Sequence, residues 1–312
     1  MSSFCPTQLR RIWPALASLL LGALTLNANA LDVQALWDFE RPELSEQRFR
    51  DALRRPDIDG IAEAELLSQL ARAQGMQGQF DLASRTLDQV QARLAILPPA
   101  SSVSYSLERG RLAQQQGDGK RAWRWYHSAL LLAQKHQLDM ASIDAMRMLA
   151  LSSSGKIALD WYLKALALAE RGNSAQAIAW QPMFYNNIGW LYVELKDTTR
   201  ALDYLRKAQA WQEKRGDQKS VLVARWGVGR VLRLSKQVDA ALDIQLTLEQ
   251  DWKRLREEDG YVYEEIAECL LAQGRDEEAA LYFAKAYRVL SQDPWLQRQD
   301  AARIARMRQL SG

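Results

Sequence analysis

The sequence predicts an all-α protein, a solenoid of stacked helical hairpins, and three observations carry that prediction. From residue 31 onward apolar residues recur at spacings of three and four, and no alternating run rich in valine, isoleucine and threonine interrupts them. The prolines beyond that point (Pro42, Pro56, Pro98, Pro99, Pro182 and Pro294) read as helix starts or ends. One short pattern returns seven times at intervals of 36 to 43 residues. A hairpin of two short helices cannot bury both apolar faces alone, so such copies must stack.

Taken in order, residues 1–30 read as an export signal. Arg10 and Arg11 form the charged start, Ile12 to Leu26 the apolar stretch, and Ala28-Asn29-Ala30 the small-residue cleavage pattern. The apolar stretch of 15 residues falls short of the roughly 20 that a membrane span needs. An uncleaved anchor is the alternative. With the cut after Ala30, the chain is expected in a periplasm. Losing both arginines and no acid lowers the formal charge from +3 to +1. A near-neutral chain argues against general nucleic-acid binding, which wants a strongly basic face. Cys269 is then the one cysteine left, so packing and not a disulfide must stabilise the fold. Its apolar helical neighbours, Ile266, Ala267, Leu270 and Leu271, predict a small buried core residue.

The recurring pattern is a small residue, a large apolar one four on, and a small one three further on. That spacing sets all three on one stripe of a helix, where small residues let a neighbour approach closely. The stripe reads Ser45/Phe49/Ala52, Ala83/Leu87/Val90, Ala122/Tyr126/Ala129 and Ala158/Tyr162/Ala165. It continues as Ala201/Leu205/Ala208, Ala241/Gln245/Leu248 and Ala279/Phe283/Ala286. Twelve residues before most stripes the first helix carries its own small residue: Ala71, Gly110, Gly189, Gly229 and Ala267, with Met146 as the exception. Gly78, Gly117, Gly155 and Gly274 fall in four intra-hairpin turns, where a left-handed backbone is expected.

From Ser45 to Leu290 this arrangement resembles a tetratricopeptide repeat (TPR), with units longer than the 34 residues usual for that family. The resemblance implies a right-handed α-solenoid of about six hairpins. Residues 31–60 would form an N-terminal half-repeat cap, 61–292 the TPR-like solenoid, and 293–312 a C-terminal capping helix. Asp293-Pro294 is a good helix start, and the helix from Trp295 to Leu310 would offer Ala301, Ile304 and Met307 to the last repeat. Arg298, Arg303, Arg306 and Arg308 then face elsewhere, either solvated or toward an anionic membrane surface or acidic partner.

Catalytic chemistry is missing from the sequence. His127 and His136 have no cysteine or carboxylate at metal-ligand spacing, so neither a metal site nor a cofactor is expected. Ser154-Gly155-Lys156 has Ile157 where a phosphate loop needs a hydroxyl, and Gly227-Val228-Gly229 lacks a third glycine and a leading strand. The expected role is non-catalytic: a protein-interaction scaffold of the cell envelope.

The resemblance further implies that the first helix of each hairpin lines a concave groove. The position after its small residue reads Arg72, Arg111, Arg147, Trp190, Arg230 and Glu268, with Arg233 one turn beyond Arg230. Such a strip of arginines would suit an acidic peptide segment or a free C-terminus. Asn186, Asn187, Trp190 and Trp226 would add amides and flat apolar surface, and Asn187 matches a position where related repeats hold an extended peptide. Trp125, Trp161 and Trp180 are read as core. Against the strip stand Glu108 and Asp144, each three residues before an arginine and able to neutralise it. Arg72 and Arg230 have no such local partner. Docking through the convex or terminal surface to a membrane complex, or a small-molecule or glycan ligand, are the alternatives.

Overall fold

The computed structural model describes residues 32–172 and 174–312. The signal reading of residues 1–30 lies outside them. Among the described residues there is no strand. Contacts divide the chain within one helix into two compact units, called here the N unit (described from 32 to 184) and the C unit (185–312).

The N unit opens with a 3-10 turn, Val33–Leu36, and the lone helix α1, Pro42–Ala52. Three hairpins follow: α2 Gly60–Met76 with α3 Phe80–Gln91, α4 Pro99–Gln115 with α5 Gly119–Lys135, and α6 Asp139–Leu151 with α7 Gly155–Arg171. Helix α8, Ala175–Glu194, carries the chain into the C unit. There it pairs with α9, Thr198–Arg215, and the hairpins α10 Gln218–Leu234 with α11 Val238–Arg254 and α12 Gly260–Ala272 with α13 Asp276–Leu290 follow. Two short helices end the chain, α14 Pro294–Gln299 and α15 Ala301–Leu310.

The seven stripes are the core. All three members of each are buried, from Ser45, Phe49 and Ala52 to Ala279, Phe283 and Ala286. Burying one large member, such as Tyr126 or Phe283, contributes about 1.5–3 kcal/mol. The small residue of the first helix explains the pattern's second half. A Cβ at Gly110 would stand 2.3 Å from the Tyr126 ring, one at Gly189 2.7 Å from Leu205, and one at Gly229 2.6 Å from Gln245. In each case the glycine makes room for the large stripe residue of its own hairpin. Cys269 is buried as expected, and burial pushes its thiol up to about 12.

Two details depart from the sequence reading. Pro182 lies inside α8 and not at its edge. Apolar residues continue on both sides of it, so the helix runs on with one backbone bond lost. The C-terminal segment is two helices, because Asp300 breaks out of helical geometry at φ −143° and ψ 45°. Asp293 caps α14 as expected, its carboxylate accepting from the Trp295 and Leu296 amides.

Gly78, Gly117, Gly155 and Gly274 take the left-handed backbone expected of them, with φ of +76°, +82°, +54° and +75°. In the fourth and fifth hairpins Lys196 and Lys236 adopt it instead, at +62° and +68°. A side chain there costs about 1 kcal/mol. Lys196→Gly and Lys236→Gly should therefore each raise the unfolding free energy by up to about 1 kcal/mol in urea titrations. Conversely, Gly110→Ala should lower it by about 2 kcal/mol, because the Tyr126 ring must be displaced.

Candidate functional site

Each unit carries a polar cluster on the first helices of its hairpins. In the N unit it is built from α2, α4, α6 and α8. Arg111 donates to Glu108 on its own helix and to Asp144 of α6, the latter at 2.5 Å. Arg147 donates twice to Asp144 Oδ1, at 3.0 and 2.6 Å, and its guanidinium lies 5.4 Å over the Trp180 ring. Burial alone would raise the Asp144 carboxyl, but Arg111 and Arg147 outweigh it and hold it well below the usual carboxylate range. Burial likewise opposes the charge of Arg111, and Asp144 and Glu108 reverse that effect.

Two polar groups of this cluster are left over. Glu108 is 3% exposed, and its Oε2 has no hydrogen-bond partner. Burial raises its carboxyl pKa despite the Arg111 contact. Arg72 makes no ion pair or hydrogen bond among the described residues. Its guanidinium packs 5.2 and 5.3 Å from the rings of Trp37 and Phe39, which stack on each other. Burial, then repulsion from Arg111, lowers its pKa to about 10. The segment ahead of α1 is anchored here: Trp37 Nε1–H donates to Gln69 Oε1 at 3.1 Å, and Ser45 Oγ accepts from the Asp38 amide while donating to its carbonyl.

In the C unit the centre is Glu265 of α12, 1% exposed. It accepts from Arg230 at 2.7 Å and from Arg233 at 2.7 and 3.0 Å. Burial would raise its carboxyl, but Arg230, Arg233 and then Arg303 prevail and lower it. The C-terminal helix adds two more pairs, Arg303 with Glu264 and Arg306 with Glu268. Those two arginines are therefore joined to the last hairpin rather than turned elsewhere.

The expected strip is thus largely internally neutralised. Arg111 and Arg147 meet the acids that local spacing offered them. Arg230 and Arg233 meet Glu265, an acid 35 and 32 residues away that local spacing does not reveal. The tryptophans are also placed differently from the sequence reading. Trp190 and Trp226, expected to offer groove surface, are each 2% exposed and pack with ring centroids 5.8 Å apart. Trp190 donates to Asn186 Oδ1 and Trp226 to the Tyr261 carbonyl. Gly227 permits this, since even a Cβ there would come within 3.3 Å of the Trp190 ring. Asn187 is buried beside Asn186 at 4% exposure. Trp125, Trp161 and Trp180, expected as core, are only half-buried.

Removing the Glu265 carboxylate strands two guanidinium groups. Glu265→Ala should lower the unfolding free energy by about 3 kcal/mol. With its folded pKa below the unfolded 4.5, the Glu265 contribution is complete above that value and is lost as pH falls through the depressed folded one. Melting curves of wild type and Glu265→Gln should therefore converge as pH drops below 4.5.

No protein-family model matches this sequence, and no curated protein matches it. Solved structures do match the fold. RapI, in its apo form, superposes with a TM-score of 0.68 at 9% identity, over 92% of this chain and 77% of its own. A signal-transduction ATPase with a tetratricopeptide repeat sensor from Pyrococcus horikoshii gives 0.67 at 16% identity, over 87% of this chain, which spans 42% of that protein. NprR in complex with its cognate peptide NprX gives 0.51 at 14% identity, over 96% of this chain and 82% of that one. The stripes, the hairpins and these likenesses agree: the chain has the helical-repeat fold of the tetratricopeptide-repeat proteins.

Proposed function

We propose that this chain is a non-catalytic interaction scaffold, exported to the cell envelope, that takes a partner polypeptide along the first-helix face of its N unit. The observation that carries the reading is the unsatisfied pair on that face. Arg72 is a cation with no hydrogen-bond acceptor, and Glu108 Oε2 is a buried acceptor with no donor. An extended peptide supplies carbonyl or carboxylate oxygens for Arg72, while the buried Glu108 carboxylate lies beneath that face and contributes its charge. An acidic segment or a free C-terminus suits Arg72 best, because the guanidinium takes a carboxylate bidentately. NprR, solved in complex with its cognate peptide NprX, supports this reading as a precedent for the fold.

Arg111, Arg147, Arg230 and Arg233 belong in this reading to the scaffold's rigidity, since their charges are already answered. Asn186, Asn187, Trp190 and Trp226 would shape the wall of the C unit more than touch a ligand. Reversing the charge of Arg111 or Arg147 would unfold the site and so test nothing about binding. Arg72 is the informative position.

The test is affinity capture from envelope extract with residues 31–312 as bait, beside Arg72→Ala and Glu108→Gln baits of equal helicity. A partner held by the wild-type bait should be retained at least about tenfold less by Arg72→Ala. A partner held equally by all three baits would place binding on another surface.

A further inference from the structure

The outer side of α5 carries a second surface, independent of the peptide reading. Among the second helices of the hairpins (α3, α5, α7, α9, α11 and α13), α5 alone has no aspartate or glutamate. It has four cations: Lys120, Arg121, Arg124 and Lys135. Arg121 faces Asp118 at 3.7 Å, whereas Lys120, Arg124 and Lys135 are exposed and make no ion pair among the described residues.

These cations frame an apolar ridge. Trp123, His127, Leu131 and Lys135 follow at intervals of four, so they stand one above another on the helix. Trp123 is 36% exposed and Leu131 56%, and both are among the few large apolar side chains left in water. The His127 ring stacks on Trp123, 4.8 Å between centroids and 10° from parallel, which fixes the indole in the ridge. On the opposite side of the helix Ala122, Tyr126, Ala129 and Ala133 are buried in the hairpin stack, so the ridge points away from the core.

We infer that the outer face of α5 docks on an anionic lipid bilayer as a peripheral contact. The charge is complementary to acidic headgroups, with no acid on the helix to oppose it. A tryptophan is the side chain best suited to the headgroup level, where its apolar body is buried and its N–H stays wet. Lysine and arginine stems cover apolar surface while their heads reach phosphates. No described helix is long and apolar enough to cross a membrane. The C-terminal arginines are poorer candidates, because Arg303 and Arg306 are already paired with Glu264 and Glu268.

The experiment is flotation of the full chain with phosphatidylcholine vesicles, with and without one third phosphatidylglycerol. Wild type is compared with a Lys120→Glu, Arg124→Glu, Lys135→Glu variant. Both carry residues 1–31, so the apolar run at 12–26, with Arg10 and Arg11 ahead of it, contributes equally to both chains and the difference between them reports α5. The anionic-over-neutral partition ratio should fall at least about tenfold in the variant. In a chain carrying Trp13→Phe, which removes the tryptophan of the apolar run, brominated acyl chains should quench the fluorescence, and adding Trp123→Tyr should remove most of that quenching. An unchanged ratio, or quenching that survives Trp123→Tyr, overturns the proposal. So does capture of an acidic protein on this face by a chain that shows no preference for anionic vesicles.

Discussion

The fold depends on one contact repeated along the chain: a glycine or alanine of the first helix set against the large stripe residue of the second. Gly110 against Tyr126, Gly189 against Leu205 and Gly229 against Gln245 leave no space for a methyl group. Close approach there brings the stripe under the first helix and closes each hairpin. Because neither helix of a hairpin can hide its other face alone, within each unit a hairpin hands an unburied side to its neighbour. The core is therefore a chain of local cores, and the polar clusters ride on the helices that those contacts hold in place.

Much of this was legible in residue order. The stripe is a pattern of volumes at helical spacing, and volume is what packing reads, so all seven copies proved buried. The lysines at 196 and 236 were not legible as turn residues, because the hairpin closure imposes a left-handed backbone that their own preference opposes. Pro182 departs from the expected helix edge for a related reason: its buried place in a packed helix outweighs the bond it removes.

The site was legible in its residues and not in its pairings. Spacing of three on one helix finds Glu108 with Arg111 and Asp144 with Arg147. It cannot find Arg230 with Glu265, which meet only because neighbouring repeats lie side by side. Nor does it reveal that Trp190 sinks inward, since that follows from the missing side chain of Gly227 thirty-seven residues away. Trp37 and Phe39 fall in the segment 31–60 expected as a cap, yet they pack over Arg72 and belong to the site.

The ion pairs between successive first helices have a consequence for the chain as an array. Arg111 of one hairpin needs Asp144 of the next, Arg230 needs Glu265, and Glu264 needs Arg303 of the final helix. These three hairpins thus each carry a lock cut for one neighbour. Arrays of identical repeats can gain or lose a unit and keep every interface. Here excision of the α6–α7 or α12–α13 hairpin would leave a half-buried arginine facing the wrong key, so at these places length is fixed by charge as well as by apolar fit.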